Sequence, residues 1–184
     1  MFSFRNCYLP PELSAALLQA DDEITALEEA AFRHASACLR AEKAALRLIA
    51  RAEQCTNGLR RKLEKRSHAP ACINAVIERL CTLHLIDDRR FAQLWLQSRL
   101  RLSRSPYRLL IALCSRGIDR EDSQSALKNA LDDETEYALL VRFAKKHERK
   151  AARKNKGEDT SRSLKYLLKT EGFSNKAIER YLDN

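Results

Sequence analysis

The stretch SPYRLLIALCSRGID, residues 105–119, contains a whole helix with its punctuation. Ser105 is a residue type that accepts hydrogen bonds from the free N–H groups of a first turn, and Pro106 follows it where a missing N–H costs nothing. Leu109, Leu110 and Leu113 then recur at helical spacing. Gly117 supplies the left-handed residue that ends helices, Ile118 is an apolar plug, and Asp119 is the cap of the next helix, with Ala126, Leu127 and Leu131. The same device returns at Glu171-Gly172-Phe173-Ser174, and a degenerate copy stands at Ser67-His68-Ala69-Pro70.

Working outward, these stops divide the chain from Ala41 on into three successive triplets of helices. The first has Leu46, Ile49 and Ala50 in a helix ending near Cys55, then Leu59 and Leu63 after a cap at Thr56. Ile73, Val76, Ile77 and Leu80 follow in a helix opened by Pro70. The second opens at Asp87-Asp88, carboxylates suited to a helix N-terminus. Its first helix is expected to set Phe91, Trp95, Ser98 and Leu102 on one face, with Leu94 alongside, so that Trp95 is core packing rather than a stacking platform. The third opens at Asp132-Asp133-Glu134, carries Leu139, Leu140 and Phe143, passes a loop around Asn155-Lys156-Gly157, and ends with Leu164, Leu167, Leu168, Ile178 and Leu182. The expected fold is therefore all-α, a tandem repeat of three three-helix bundles, elongated or curved. The units are residues 41–86, 87–131 and 132–184, and residues 1–40 form an acidic, helical N-terminal extension. Only four Gly and four Pro in 184 residues agree with helices rather than a turn-rich sheet.

The excess of 34 basic over 25 acidic residues gives a formal charge of +9, which favours a polyanionic partner. It is uneven: residues 1–40 sum to −3, and the three units to +5, +4 and +3. Two basic groups are the candidate nucleic-acid or filament contacts. Arg99, Arg101, Arg104 and Arg108 span a helix end and the next helix start. Lys145, Lys146, Arg149, Lys150, Arg153, Lys154 and Lys156, together with Arg142, recur at three- and four-residue steps that gather most of them on one helix side. Contact with phosphates would make binding strongly salt dependent; a merely solvated face is the competing reading.

Chemistry is scarce. No glycine loop cradles phosphate, and no nucleophile has a base and an orienting partner beside it, so an enzyme is not expected. Asp87-Asp88 reads as helix capping rather than a catalytic dyad or cation site. His68, Cys72, Cys81 and His84 are the soft-metal ligand types closest in sequence. Cys72 and Cys81 nevertheless fall roughly 13.5 Å apart and on opposite sides of one helix, so no metal and no cofactor are expected. The six cysteines lack a C-x-x-C pair and no cleavable signal precedes them, which reads as reduced thiols in a cytoplasmic protein. No apolar run approaches the ~18–20 residues of a membrane span.

Leu85-Ile86-Asp87-Asp88-Arg89-Arg90-Phe91-Ala92 resembles the tyrosine/leucine–hydrophobic–Asp-Asp-x-Arg-Phe-Ala signature of the RecX regulators. Thr56-x-x-Leu59-x-x-Lys62-Leu63, Ser98-Arg99, and Leu109 through Leu113 to Arg116-Gly117-Ile118 are similar to further stretches of that family. The signature residues Asp87, Asp88, Arg90, Phe91, Ala92, Gly117 and Ile118 take structural roles on this resemblance. Departures stand at Ser103 or Ser105 and at His84, where the family usually has glycine. The resemblance covers residues from about 41 onward. It implies tandem three-helix bundles and a non-catalytic protein that binds the RecA recombinase and its filament on DNA; single- and double-stranded DNA are expected partners, and a monomer is the default expectation. Such a protein restrains strand exchange, ATP hydrolysis and the coprotease response. A helical protein binding DNA or RNA directly, without a recombinase, is the alternative reading.

Overall fold

The computed structural model describes residues 8–9, 25–102, 104–152 and 160–183. The side chains of 148–152 and 160–163 are not among those described, and the expected loop at 155–157 lies outside the described residues. All regular structure among them is helical. The chain forms two compact units, Met1–Asp87 and Asp88–Asn184, so the residues expected as second and third bundles share one body.

The first unit comprises α1 (Ala26–Ile49), α2 (Thr56–Glu64) and α3 (Pro70–Thr82). A capping box starts α1: the Thr25 hydroxyl accepts from the Glu28 N–H at 3.3 Å, and the Glu28 carboxylate accepts from the Thr25 N–H at 2.8 Å. Those bonds hold the Glu28 carboxyl below its ordinary pKa, and they satisfy donors the first turn would otherwise expose. The helix then runs through the boundary expected at residue 40. The reason lies in Ala35, Cys38, Ala41 and Ala45, all buried. They repeat at three- and four-residue steps and make one small-residue face on which Cys72, Ile73, Val76, Ile77 and Leu80 of α3 settle. Leu59 and Leu63 of α2 and Ile86 complete this core.

In the second unit, α4 (Asp88–Arg99), α5 (Pro106–Cys114) and α6 (Arg120–Ala130) pack together, and α7 (Asp133–Ala152), α8 (Thr160–Thr170) and α9 (Asn175–Leu182) do likewise. Ser105, Asp119 and Ser174 cap α5, α6 and α9 with their side chains. Asp132 caps α7, its carboxylate accepting from the Thr135 N–H at 2.7 Å and held below its usual pKa by that residue. Cysteine 55 rather than Thr56 is the N-cap residue of α2, and its side chain makes no capping bond. The face expected on α4 is partly different. Trp95, Ala92 and Leu96 are buried, but Leu94, on the helix, is 47% exposed, and Leu102 is 41% exposed because α4 ends at Arg99 and Leu102 lies beyond it.

Glu171 ties the two triplets of the second unit together. Its carbonyl accepts from the Tyr107 N–H at 3.0 Å, its carboxylate accepts from the Ser105 hydroxyl, and the same carboxylate faces Arg108 at 3.6 Å. At Gly172, φ is +84° and an added Cβ would meet the Tyr107 backbone nitrogen at 3.3 Å, so glycine is favoured there on two counts.

The helix stop read from the sequence is a Schellman motif, used four times among the described residues. Ser67, His84, Gly117 and Gly172 occupy the left-handed position, with φ of 58°, 54°, 85° and 84°. In each, that residue's N–H reaches back three residues and the following N–H reaches back five, as in Gly117 to Cys114 and Ile118 to Leu113. The two non-glycine copies carry the Cβ penalty of the left-handed region, ~1–2 kcal/mol, partly offset by the greater unfolded freedom of glycine. Ser67→Gly and His84→Gly should each raise the unfolding free energy by about 0.5–1 kcal/mol, read as a higher denaturant midpoint at unchanged slope.

Candidate nucleic-acid interface

The basic residues expected to act as a surface fall into different environments. Arg101, Arg104 and Arg108 are exposed, as are Lys145 and Lys146 on α7. Arg99 is half-buried. Its guanidinium carbon stands 5.6 Å from the Trp95 ring centre, and its Nε is buried with no hydrogen-bond partner among the described residues. Arg116 covers the same ring at 4.5 Å. Trp95 is thus core packing, as expected, and two cations lie over it, an arrangement favoured by the ring quadrupole. Arg99 packs where Arg101 and Arg104 project. Arg108 is engaged with Glu171, while Arg149 and Lys150 lie on α7 with side chains outside the described set, and Arg153, Lys154 and Lys156 lie outside the described residues.

The two basic groups meet at one point. Arg142, on the same helix as Lys145 and Lys146, donates to the Leu100 carbonyl at 2.9 Å. That bond sets α7 against the end of α4, where Arg99 and Arg101 flank Leu100. Residues separated by some forty positions in sequence therefore belong to one neighbourhood of the second unit. The spacing within α7 was readable in the chain; the bridge through Arg142 was not, because it depends on how two helices pack. Such a concentration of cations can neutralise several phosphates together, which is how basic surfaces gain affinity for nucleic acid.

The signature residues Asp87, Asp88, Arg90, Phe91 and Ala92 sit at the entry to α4. Ala92 is fully buried there, and Ile86 just before the signature closes the first unit's core. Gly117 and Ile118 form the stop after α5, with Ile118 buried. Two family models match the chain: one described as "RecX, first three-helix domain" over residues 31–80, the other as "RecX, second three-helix domain" over 87–127. A "Regulatory protein RecX" of Treponema pallidum is 33% identical over 146 residues, 79% of this chain and 85% of that one. The chain belongs to the RecX family. A RecX of Halorhodospira halophila is 35% identical over 99 residues, and that match spans 62% of the relative's length. The RecX fold is shared by two crystal structures. One, titled "Crystal structure of regulatory protein RecX", has a TM-score of 0.78, 19% identity, and covers 96% of this chain and 87% of its own. The other, RecX from Lactobacillus salivarius, has a TM-score of 0.65 and 21% identity, and covers 81% and 96%. The first family model begins at residue 31, inside α1, in agreement with the helix that crosses residue 40. No described helix is long and apolar enough to cross a membrane.

One cluster was not anticipated. Among the described residues, the one group of three potential metal ligands whose donor atoms lie within 4.8 Å of one another is His34, Cys38 and Cys72, not the set around His68, Cys81 and His84. Cys38 and Cys72 are fully buried while His34 is exposed. Burial, and then the neighbouring Cys72 thiol, push the Cys38 thiol up to about 12. A His-x-x-x-Cys pair on one helix was visible in the sequence; its meeting with Cys72 required knowing that α1 packs on α3.

Proposed function

We propose that this protein regulates a RecA-type recombinase by binding its filament on DNA, with the basic neighbourhood of α4, α5 and α7 as the contact surface. The observation that carries the reading is membership of a family of regulatory proteins, with two of its three-helix domain models matching the chain. The exposed cations at Arg101, Arg104, Lys145 and Lys146 support the choice of surface. The action is steric and electrostatic: a helical body lodged on the filament alters growth and the coupling to ATP hydrolysis without chemistry of its own. The protein works as a monomer in the cytoplasm and restrains rather than stimulates the recombinase.

The test is the single-stranded-DNA-dependent ATPase rate of the cognate recombinase, titrated with this protein at fixed salt. Suppression at substoichiometric ratios is expected, because one regulator lodged on a filament affects many protomers. An unchanged rate at excess regulator overturns the reading.

A further inference from the structure

We propose that His34, Cys38 and Cys72 form a zinc-class metal site that clamps α1 to α3. The inference is independent of the regulatory reading. Its basis is geometric. The Cys38 Sγ lies 3.5 Å from His34 Nε2, and the Cys72 Sγ lies 3.9 Å from His34 Nδ1. Tetrahedral zinc, with bonds of about 2.3 Å to sulfur and 2.0–2.1 Å to nitrogen, spaces its ligands roughly 3.5–3.8 Å apart. Donors already within 4.8 Å of one another need to shift by only about 1 Å to meet that requirement.

The local sequence places each donor for the purpose. His34 and Cys38 are one helical turn apart on α1, so they share a face. Cys72 sits in the first turn of α3, three residues into a helix opened by Pro70. A small-residue core alone explains buried cysteines, which pack as small hydrophobes. It does not explain an exposed imidazole with Nε2 near one sulfur and Nδ1 near the other; one of these nitrogens would bind the metal, within the 4.8 Å that separates the three donors.

The ligand set selects the metal. Two thiolates and an imidazole suit zinc, or copper(I), over magnesium, calcium or manganese. Three protein ligands, one of them exposed, leave a fourth position on the solvent side for water or an outside donor, the arrangement of an open rather than a closed zinc site. Metal binding exchanges two thiol protons for two metal–sulfur bonds, with the protons released to solvent and no change in oxidation state. The clamp joins positions 34 and 38 to position 72, and its binding energy stabilises the first unit.

The experiment is a Co2+ titration of the full-length, reduced, metal-stripped chain, followed by Zn2+ competition and by thermal melting with and without Zn2+. The expected result is a thiolate-to-cobalt charge-transfer band that saturates near one equivalent and disappears when Zn2+ is added, with Zn2+ raising Tm. Cys38→Ala and Cys72→Ala should each abolish the band. His34→Gln changes an exposed side chain, so the metal-free melting curve should stay as it is while metal affinity falls at least tenfold. The proposal is overturned by a wild-type chain that shows no such band, by a band that survives in the Cys38→Ala/Cys72→Ala double variant, or by His34→Gln binding the metal as tightly as wild type. Because His34 is exposed and its replacement leaves both core cysteines in place, His34→Gln decides the matter even where the cysteine variants fold poorly.

Discussion

Leu80→Ala should lower the unfolding free energy by about 2–5 kcal/mol, the range for buried leucine truncations that leave a cavity. Leu80 is fully buried in the cluster built from α1, α2 and α3, and it stands in the last turn of α3. Its backbone carbonyl also receives the Leu85 N–H at 2.9 Å and the Ile86 N–H at 3.3 Å, so the side chain lies where the chain leaves the first unit. Two features place the cost toward the upper end. The neighbouring face of α1 is made of Ala35, Cys38, Ala41 and Ala45, short side chains with no reach to refill a void. The left-handed turn at His84 holds Ile86 in position and limits collapse from that side. Relative to a domain stability of about 5–15 kcal/mol, such a loss removes a large share of the total. Urea denaturation followed by circular dichroism checks it, and a loss under 1 kcal/mol would show that the α1–α3 seam repacks freely.

The helix punctuation was legible because it depends on local chemistry. Pro70, Ser105-Pro106, Asp119, Asp132 and Ser174 act within one turn of themselves, and Gly117 and Gly172 announce a backbone conformation that few other residues tolerate. The extent of α1 was less legible, although a helix from about Asp22 is expected. Its Thr25-x-x-Glu28 box lies in the same local alphabet, yet the acidic character of residues 1–40 outweighed the buried alanine and cysteine periodicity that carries the helix through residue 40. Composition averaged over forty residues hides a face made of four small ones. Leu102 failed for another reason: periodicity extended past Arg99, where the helix stops.

Site residues were legible only as far as a single helix allows. The steps between Arg142, Lys145 and Lys146 place them together by geometry alone. Arg99 has the same charge and a similar setting in the sequence, but packing on Trp95 gives it a structural task that no charge count reveals. The engagement of Arg108 with Glu171 joins residues 63 positions apart, and His34 meets Cys72 across 38 positions. Such pairings belong to tertiary contacts, which no local pattern specifies.

Charge reversal at Lys145, Lys146, Arg149 and Lys150 should abolish suppression of the recombinase ATPase and weaken DNA binding by roughly 10²–10³-fold near 0.15 M salt, if all four neutralise phosphates. Each contact contributes about 0.7–0.9 to the slope of log K on log salt, so the slope should fall by roughly 3. The fold should survive, since Lys145 and Lys146 are exposed and surface changes usually cost within about 0.5 kcal/mol. Four glutamates in the second half of α7 do oppose its dipole, at about 0.3–1 kcal/mol for those nearest the C-terminus. A glutamine version of the same four positions removes the charge without that penalty and should give an intermediate loss of binding. Filter binding across a salt series, run beside the ATPase titration, separates the possible contacts. Loss of both signals places phosphates under α7. Loss of ATPase suppression with DNA binding intact places an acidic surface of the recombinase there instead, and retention of both removes α7 from the interface, leaving the α4–α5 arginines to carry it.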